Sequence, residues 1–253
     1  MEFSEKVVLI TGSASGFGKI LAYEFAKKGA SLILSDINEK DGQAVADEIN
    51  AADGKATFTK CDVSNTEDVK QMVEAGVAAF GKLDICINNA GIAGNALRTK
   101  THDFEEDAWD NIMNVNGKGV WLCMKYELPH LLANGGGVVI NVASVAGLMA
   151  VPGNVAYAAS KHAVIGITKT AAIEYASKNI RVNAICPAFT DTAMVQNSIM
   201  QDKEYGQRLV MMNPMRRLGE PEEVTSVIMF MCSDQNTFMN GQAIAIDGGL
   251  MAM

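Results

Sequence analysis

The chain has 253 residues and a formal net charge of −8, from 21 Lys and Arg against 29 Asp and Glu. Hydrophobic residues make up 49 % and charged residues 20 %, which is enough apolar material for a sizeable core and excludes bulk disorder. The acidic balance argues against nucleic acid or an anionic membrane surface as the main partner, and no stretch approaches the roughly 20 apolar residues of a membrane span.

The first expected strand covers residues 7–11, and the glycine-rich run TGSASGFG follows it directly, opening an amphipathic segment at 17–29. Further along, strands are expected at 31–36, 56–61 and 83–88, with helices at 39–52 and 66–80 between them. A long helical pattern at 105–133 precedes a strand at 137–142, and another at 155–178 precedes a strand at 180–185. A helix at 221–232 and a strand at 243–247 complete the alternation. Strands such as VVLIT are continuously apolar, as strands covered on both faces should be. The alternation predicts an α/β fold, a doubly wound parallel sheet of about seven strands with helices on both faces. No linker or repeat divides the chain, so 1–253 is read as one domain. Residues 187–221 break the rhythm, with no strand and only weak helical signals. They hold Met194, Met200, Met211, Met212 and Met215, a third of the 15 methionines. So long a connection is a candidate substrate-binding loop, and methionine suits an adaptable apolar surface.

Cys61, Cys86, Cys123, Cys186 and Cys232 are scattered, without a CxxC pair, which points to a reducing compartment and so to the cytoplasm. The first seven residues lack the apolar core of a signal peptide. His102, His130 and His162 show no ligand spacing, and no metal is expected.

Glycines at 12, 16 and 18, between a strand and a helix, let the backbone turn sharply and approach a pyrophosphate at the helix N-terminus. Gly12, Ser15, Gly16, Phe17 and Gly18 are the candidate phosphate-side residues. Roughly 20 residues past the glycines, strand two ends in Asp36, followed by Ile37. A carboxylate there accepts from both ribose hydroxyls and repels a 2′-phosphate, and no Arg or Lys follows it closely, so NAD is favoured over NADP. Tyr157 and Lys161, at i and i+4, share one face of the helix expected at 155–178. An ammonium beside a phenol lowers the tyrosine pKa from about 10, giving a proton donor and acceptor for a carbonyl/alcohol pair. Ser144, just after strand five, sits where ligands bind in such sheets and can hold a substrate oxygen.

The TGxxxGxG spacing, NNAG at 88–91 and Tyr-x-x-x-Lys at 157–161 together resemble the short-chain dehydrogenase/reductase family, over nearly the whole chain. The resemblance implies a Rossmann-type fold and metal-free hydride transfer between a nicotinamide and a secondary alcohol or ketone, with NAD favoured by Asp36. It implies that Tyr157 is the acid/base, that Ser144 orients the substrate oxygen, and that Lys161 shifts the tyrosine and bonds the nicotinamide ribose. Asn116 matches a fourth position, where it holds a water in a proton relay, with Asn114 the neighbouring alternative. By the same resemblance, Asp62 and Val63 bracket the adenine, and Asn89, Ala90 and Gly91 form the turn beside the adenosine ribose, with Asn88 supporting the sheet. Pro187 stands beside the nicotinamide, with Ala188 replacing the family's glycine, and Thr190 and Thr192 contact carboxamide and pyrophosphate.

The substrate pocket is expected among Ala93, Gly94, Met149, Val151, Phe189 and Met194, alongside Ser144 and Tyr157. These side chains favour a neutral, moderately apolar small molecule, although Arg98 and Lys100 keep a polar one open. A rival is a 3-oxoacyl-acyl-carrier-protein reductase, but the end of the long helix, 128–137, has no Lys or Arg to dock an acidic carrier. A non-catalytic dinucleotide-binding regulator is a third reading. The resemblance also implies a homotetramer, paired through the two long helices and the C-terminal segment IAIDGGLMAM.

Overall fold

The computed structural model describes residues 2–94, 98–198 and 200–253. Its strands are β1 (Val7–Thr11), β2 (Ser31–Asp36), β3 (Lys55–Lys60), β4 (Ile85–Asn88), β5 (Gly137–Val142), β6 (Ile180–Pro187) and β7 (Ala243–Ile246). They form one parallel, Rossmann-type sheet in the order β3-β2-β1-β4-β5-β6-β7. After β1 the chain winds outward to β3, then returns to place β4 on the other side of β1. That reversal opens a crevice beyond the carboxyl ends of β1 and β4.

Alternation along β1 splits the core. Val7 and Leu9 join the apolar cluster under α3 (Thr66–Phe80), α5 (Gly119–Ala133) and α6 (Val155–Tyr175). Val8 and Ile10 join the opposite cluster, under α1 (Gly16–Lys27), α2 (Glu39–Ala51) and α9 (Pro221–Cys232). Each face of the sheet is thereby covered, which explains the uninterrupted apolar strands.

Two expectations need correction. The single helix expected at 105–133 is α4 (Glu106–Ile112), a π-helical turn (Met113–Lys118) and then α5. The wider turn shifts the helical phase, burying Asn116 while Asn114 stays exposed. Residues 187–221 are not an irregular loop, because α7 (Ala193–Ser198) and α8 (Lys203–Met212) lie within them. Both helices are too short for a clear periodic signal. Asp202 starts α8 by accepting the Tyr205 N–H at 3.0 Å.

Between the layers runs a polar thread. Asn88 on β4 donates from Nδ2 to Glu127 Oε2 on α5 (3.1 Å) and to Asn141 Oδ1 on β5 (3.0 Å). Asn141 in turn donates to Thr168 Oγ1 on α6 at 2.9 Å. Glu127 is 0 % exposed, and burial pushes its carboxyl up to about 7 against the Asn88 hydrogen bond. The fold therefore favours the neutral acid. An unfolded chain releases this proton near 4.5, so the stabilisation is full below that pH and lost as pH rises through about 7. The loss amounts to about 3 kcal/mol. Glu127→Gln removes this dependence. Its melting temperature is expected to exceed that of the unsubstituted protein at pH 8, with the gap closing or reversing at pH 5.

Candidate active site

Thr11 closes β1 and ties the glycine loop to the turn after β4. Its Oγ1 accepts the N–H groups of Asn89 and Ala90, each at 3.1 Å. Asn89 returns the contact, donating from Nδ2 to the carbonyls of Thr11 (2.9 Å) and Gly12 (3.1 Å). The approach is close enough that a Cβ on Gly12 would stand 2.9 Å from the Ala90 Cα. Gly18 serves packing, since a Cβ there would lie 2.2 Å from the Gly12 carbonyl oxygen, and it does not line the cleft. Gly16 has a positive φ of 51° and open space where a side chain would stand. Ser15 occupies the N-cap of α1 without a side-chain cap bond, and the first turn holds no acid. The first N–H groups of α1 and the positive end of its dipole are therefore left without a capping side chain or a first-turn carboxylate of their own. Asp36 braces the loop, its carboxylate accepting from the Ala14 and Asn38 N–H groups at 2.9 Å each. Strand-end cap and cleft wall are thus the same residue.

One cleft of about 330 Å³ collects most of the residues singled out from the sequence. Gly12, Ser15, Gly16, Phe17, Asp36, Ile37, Asp62, Val63, Asn89, Ala90 and Gly91 line one part of it. Ser144, Tyr157, Lys161, Pro187, Thr190, Thr192 and Met194 line the rest. The Asp62 carboxylate is partly committed, since its Oδ1 accepts from the Ser64 N–H and hydroxyl.

Ser144 follows β5 and accepts the Ala146 N–H at 3.1 Å, while its hydroxyl reaches the Pro187 carbonyl at a long 3.4 Å. Asn154 caps α6, so Tyr157 lies in the first turn, one turn before Lys161. The Lys161 ammonium donates to the Val142 carbonyl at 2.9 Å and lies 5.6 Å from the centre of the Tyr157 ring. Burial pulls this ammonium down to about 8. It also pushes the Tyr157 phenol above its ordinary value, and the Ser144 hydroxyl pulls it part of the way back. The expected net lowering of Tyr157 is therefore corrected: desolvation of the phenol wins, while the Lys161 ammonium makes its hydrogen bond to the Val142 carbonyl.

Asn116 stands behind the cleft wall. Its amide accepts the Ile92 N–H (2.8 Å) and donates to the Ile92 carbonyl (2.9 Å) and to Ser160 Oγ (3.2 Å). It adjoins Lys161 across Gly91, where a Cβ would be 3.2 Å from Asn116 Oδ1 and 3.5 Å from Lys161 Nζ.

Several pocket expectations do not hold. Met149 and Val151 lie outside the cleft lining, Phe189 lines a second cavity of about 170 Å³, and Ala93 turns its carbonyl to Asn154. A Cβ on Gly94 would face Ile112. Of the methionines in 187–221, Met194 alone lines the main cleft, while Met211, Met212 and Met215 are exposed. Ile92, Ala188 and Val195 line it instead. Ile92 and Val195 carry no motif, whereas Asn154 was detectable as a capping residue directly before a helical run. Arg98 belongs to neither pocket lining; it pairs with Asp202 at 2.9 Å and stacks 3.9 Å over the Tyr205 ring, fastening its loop to α8.

A glycine-looped dinucleotide cleft with a Tyr-x-x-x-Lys helix beside it defines a class of oxidoreductase, and the chain belongs to the short-chain dehydrogenase/reductase family. The family profile described as Enoyl-(Acyl carrier protein) reductase matches residues 12–251. Cyclohexanol dehydrogenase of Acinetobacter sp. (strain SE19) is 41 % identical over 247 residues, covering 98 % of this chain and 95 % of that protein. The crystal structure of levodione reductase superposes with a TM-score of 0.94 at 36 % identity, over 99 % of both chains. The 3-ketoacyl-(acyl-carrier-protein) reductase from Brucella melitensis, complexed with NADH, superposes at 0.90 with 35 % identity, over 98 % of this chain and 99 % of its own.

The two loop glycines separate folding from binding. Gly18→Ala is expected to lower stability by about 1–3 kcal/mol, because the new methyl meets backbone. Gly16→Ala, in open space, is expected to cost about 1 kcal/mol through its positive φ. It nevertheless weakens binding of a nicotinamide dinucleotide at least tenfold by filling the cradle. Thermal melts and fluorescence titration read the two effects.

Proposed function

We propose that the protein is an NAD-dependent oxidoreductase interconverting a secondary alcohol and a ketone on a neutral, moderately apolar small molecule. The observation that carries this reading is the convergence of Asp36, the open N-terminus of α1, Ser144, Tyr157 and Lys161 on one cleft. The residues fit a dinucleotide. Gly16 leaves a cradle at the N-terminus of α1, which carries no side-chain cap, and the Asp36 carboxylate in the cleft wall would accept from adenosine ribose hydroxyls and repel a 2′-phosphate. Ile37, 62 % exposed beside it, offers a phosphate no charge. Asp62, Val63, Asn89, Ala90 and Gly91 are assigned to the adenosine half, and Pro187, Thr190 and Thr192 to the nicotinamide half.

A bound nicotinamide supplies or takes up the hydride. Tyr157 gives its phenolic proton to the carbonyl oxygen during reduction and takes it back during oxidation. Ser144 exchanges its long bond to Pro187 for one to the same oxygen. Lys161, charged below about 8, steadies the phenolate left behind. Asn116 fixes Ile92 and keeps a lone pair on Oδ1 for a water of the relay. Ile92, Met194 and Val195 support an uncharged substrate, since among the described lining residues Lys161, already bonded to the Val142 carbonyl, is the one cation. Exposed Trp121, Ile173, Phe230 and Phe238 support association into a homotetramer, and five free buried cysteines support a cytoplasmic setting.

Tyr157→Phe is expected to lower turnover at least a thousandfold with NADH affinity unchanged, and sustained turnover would refute the mechanism. Ketone reduction is expected to fall as pH rises above about 8, where Lys161 loses its proton. NADH is expected to outperform NADPH at least tenfold, and Asp36→Asn to narrow that gap. The likeness to the Brucella melitensis protein favours a second reading, a carrier-protein reductase. Turnover of acetoacetyl-carrier protein well above that of free cyclic ketones would establish it instead.

A further inference from the structure

Resting on that reading, we propose that Asn154 is a positioning residue that sets the substrate-side loop after β4 in register with the catalytic tyrosine. Its side chain is 4 % exposed and uses both ends of the amide. Oδ1 accepts the Tyr157 N–H at 3.2 Å, fixing the backbone of the first turn of α6. Nδ2 donates to the Ala93 carbonyl at 2.9 Å, one residue beyond the cleft-lining Ile92. The preceding residue repeats the tie, as the Gly153 carbonyl accepts the Thr99 N–H at 3.1 Å. That contact requires glycine at a positive φ of 87°, because a Cβ would stand 2.7 Å from the Arg98 Cα.

The demand on residue 154 is thus for one acceptor and one donor on a single planar group. A carboxylate keeps the cap but sets an acceptor against the Ala93 carbonyl. A serine keeps a capping oxygen and has no amide to reach across. Asn116 holds Ile92 from the opposite side, so the loop is clamped between two asparagines. The Ala93 bond governs how the substrate is presented, and the Tyr157 bond governs where the proton donor stands.

The two halves separate experimentally in the full-length chain. In Asn154→Ser, hydrogen exchange at 92–94 is expected to quicken at least tenfold, while the first turn of α6 stays within threefold. KM for a cyclic ketone rises at least fivefold, with kcat within twofold and NADH affinity unchanged. In Asn154→Ala the first turn of α6 also loosens, and kcat falls at least tenfold. Asn154→Asp is expected to follow the serine variant. Unchanged exchange at 92–94 in the serine variant would overturn the proposal, as would equal losses of kcat in the serine and alanine variants that track melting temperature. If the unsubstituted protein reduces no ketone, the proposed reaction fails, and the exchange data still decide the role of Asn154.

Discussion

Lys161 is 4 % exposed, and its ammonium is held by the last carbonyl of β5. Removing an ion from water costs several kcal/mol unless its donors are satisfied, so this bond constrains everything packed around it. It pins α6 to the carboxyl end of the sheet and thereby sets where Tyr157, one turn earlier, meets the cleft. Two glycines pack close to the same residue. A Cβ on Gly147 would lie 2.6 Å from the Lys161 carbonyl oxygen, and one on Gly91 would stand 3.5 Å from its Nζ. The turn after β5 and the turn after β4 can therefore both close around the lysine.

Sheet order determines which groups share the cleft. Because β1 and β4 are neighbours, the glycine loop and the NNAG turn meet through Thr11 and Asn89. Because β5 follows β4, Ser144 reaches the same edge, and Pro187 arrives at the end of β6. The thread from Glu127 through Asn88 and Asn141 to Thr168 links α5, two strands and α6 beneath that edge. Its members lie among apolar residues, where an unmatched register would leave polar groups without partners. The thread therefore favours a single packing of the helices that frame the site.

Local signals carried much of this. Seven strands were readable from apolar runs, because strands covered on both faces are apolar on both. The glycine loop and the Tyr-x-x-x-Lys pair were readable because backbone conformation and helical spacing restrict which residues serve. Elsewhere the signal was weak. The π-helical turn at Met113–Lys118 adds a residue to the hydrogen-bonded ring, which no periodicity at 3.6 residues reveals. The helices within 187–221 have six and ten residues, too few turns for a stripe to stand out. Methionine content pointed to that segment as the pocket, yet Met211, Met212 and Met215 face outward, since composition carries no direction.

The amino-acid sequence by itself determined the alternating elements, the glycine cradle, the acid at the end of β2 and the helical spacing of Tyr157 and Lys161. Each follows from interactions between residues close in the chain or from the conformational freedom of one residue type. Tertiary structure alone decided what surrounds them. It placed Ile92 and Val195 in the wall and Phe189 outside it, gave Lys161 a carbonyl partner, and raised the Tyr157 phenol. It also joined Asn154 to Ala93, residues 61 positions apart. Burial and partner choice depend on which distant segments the sheet order brings together.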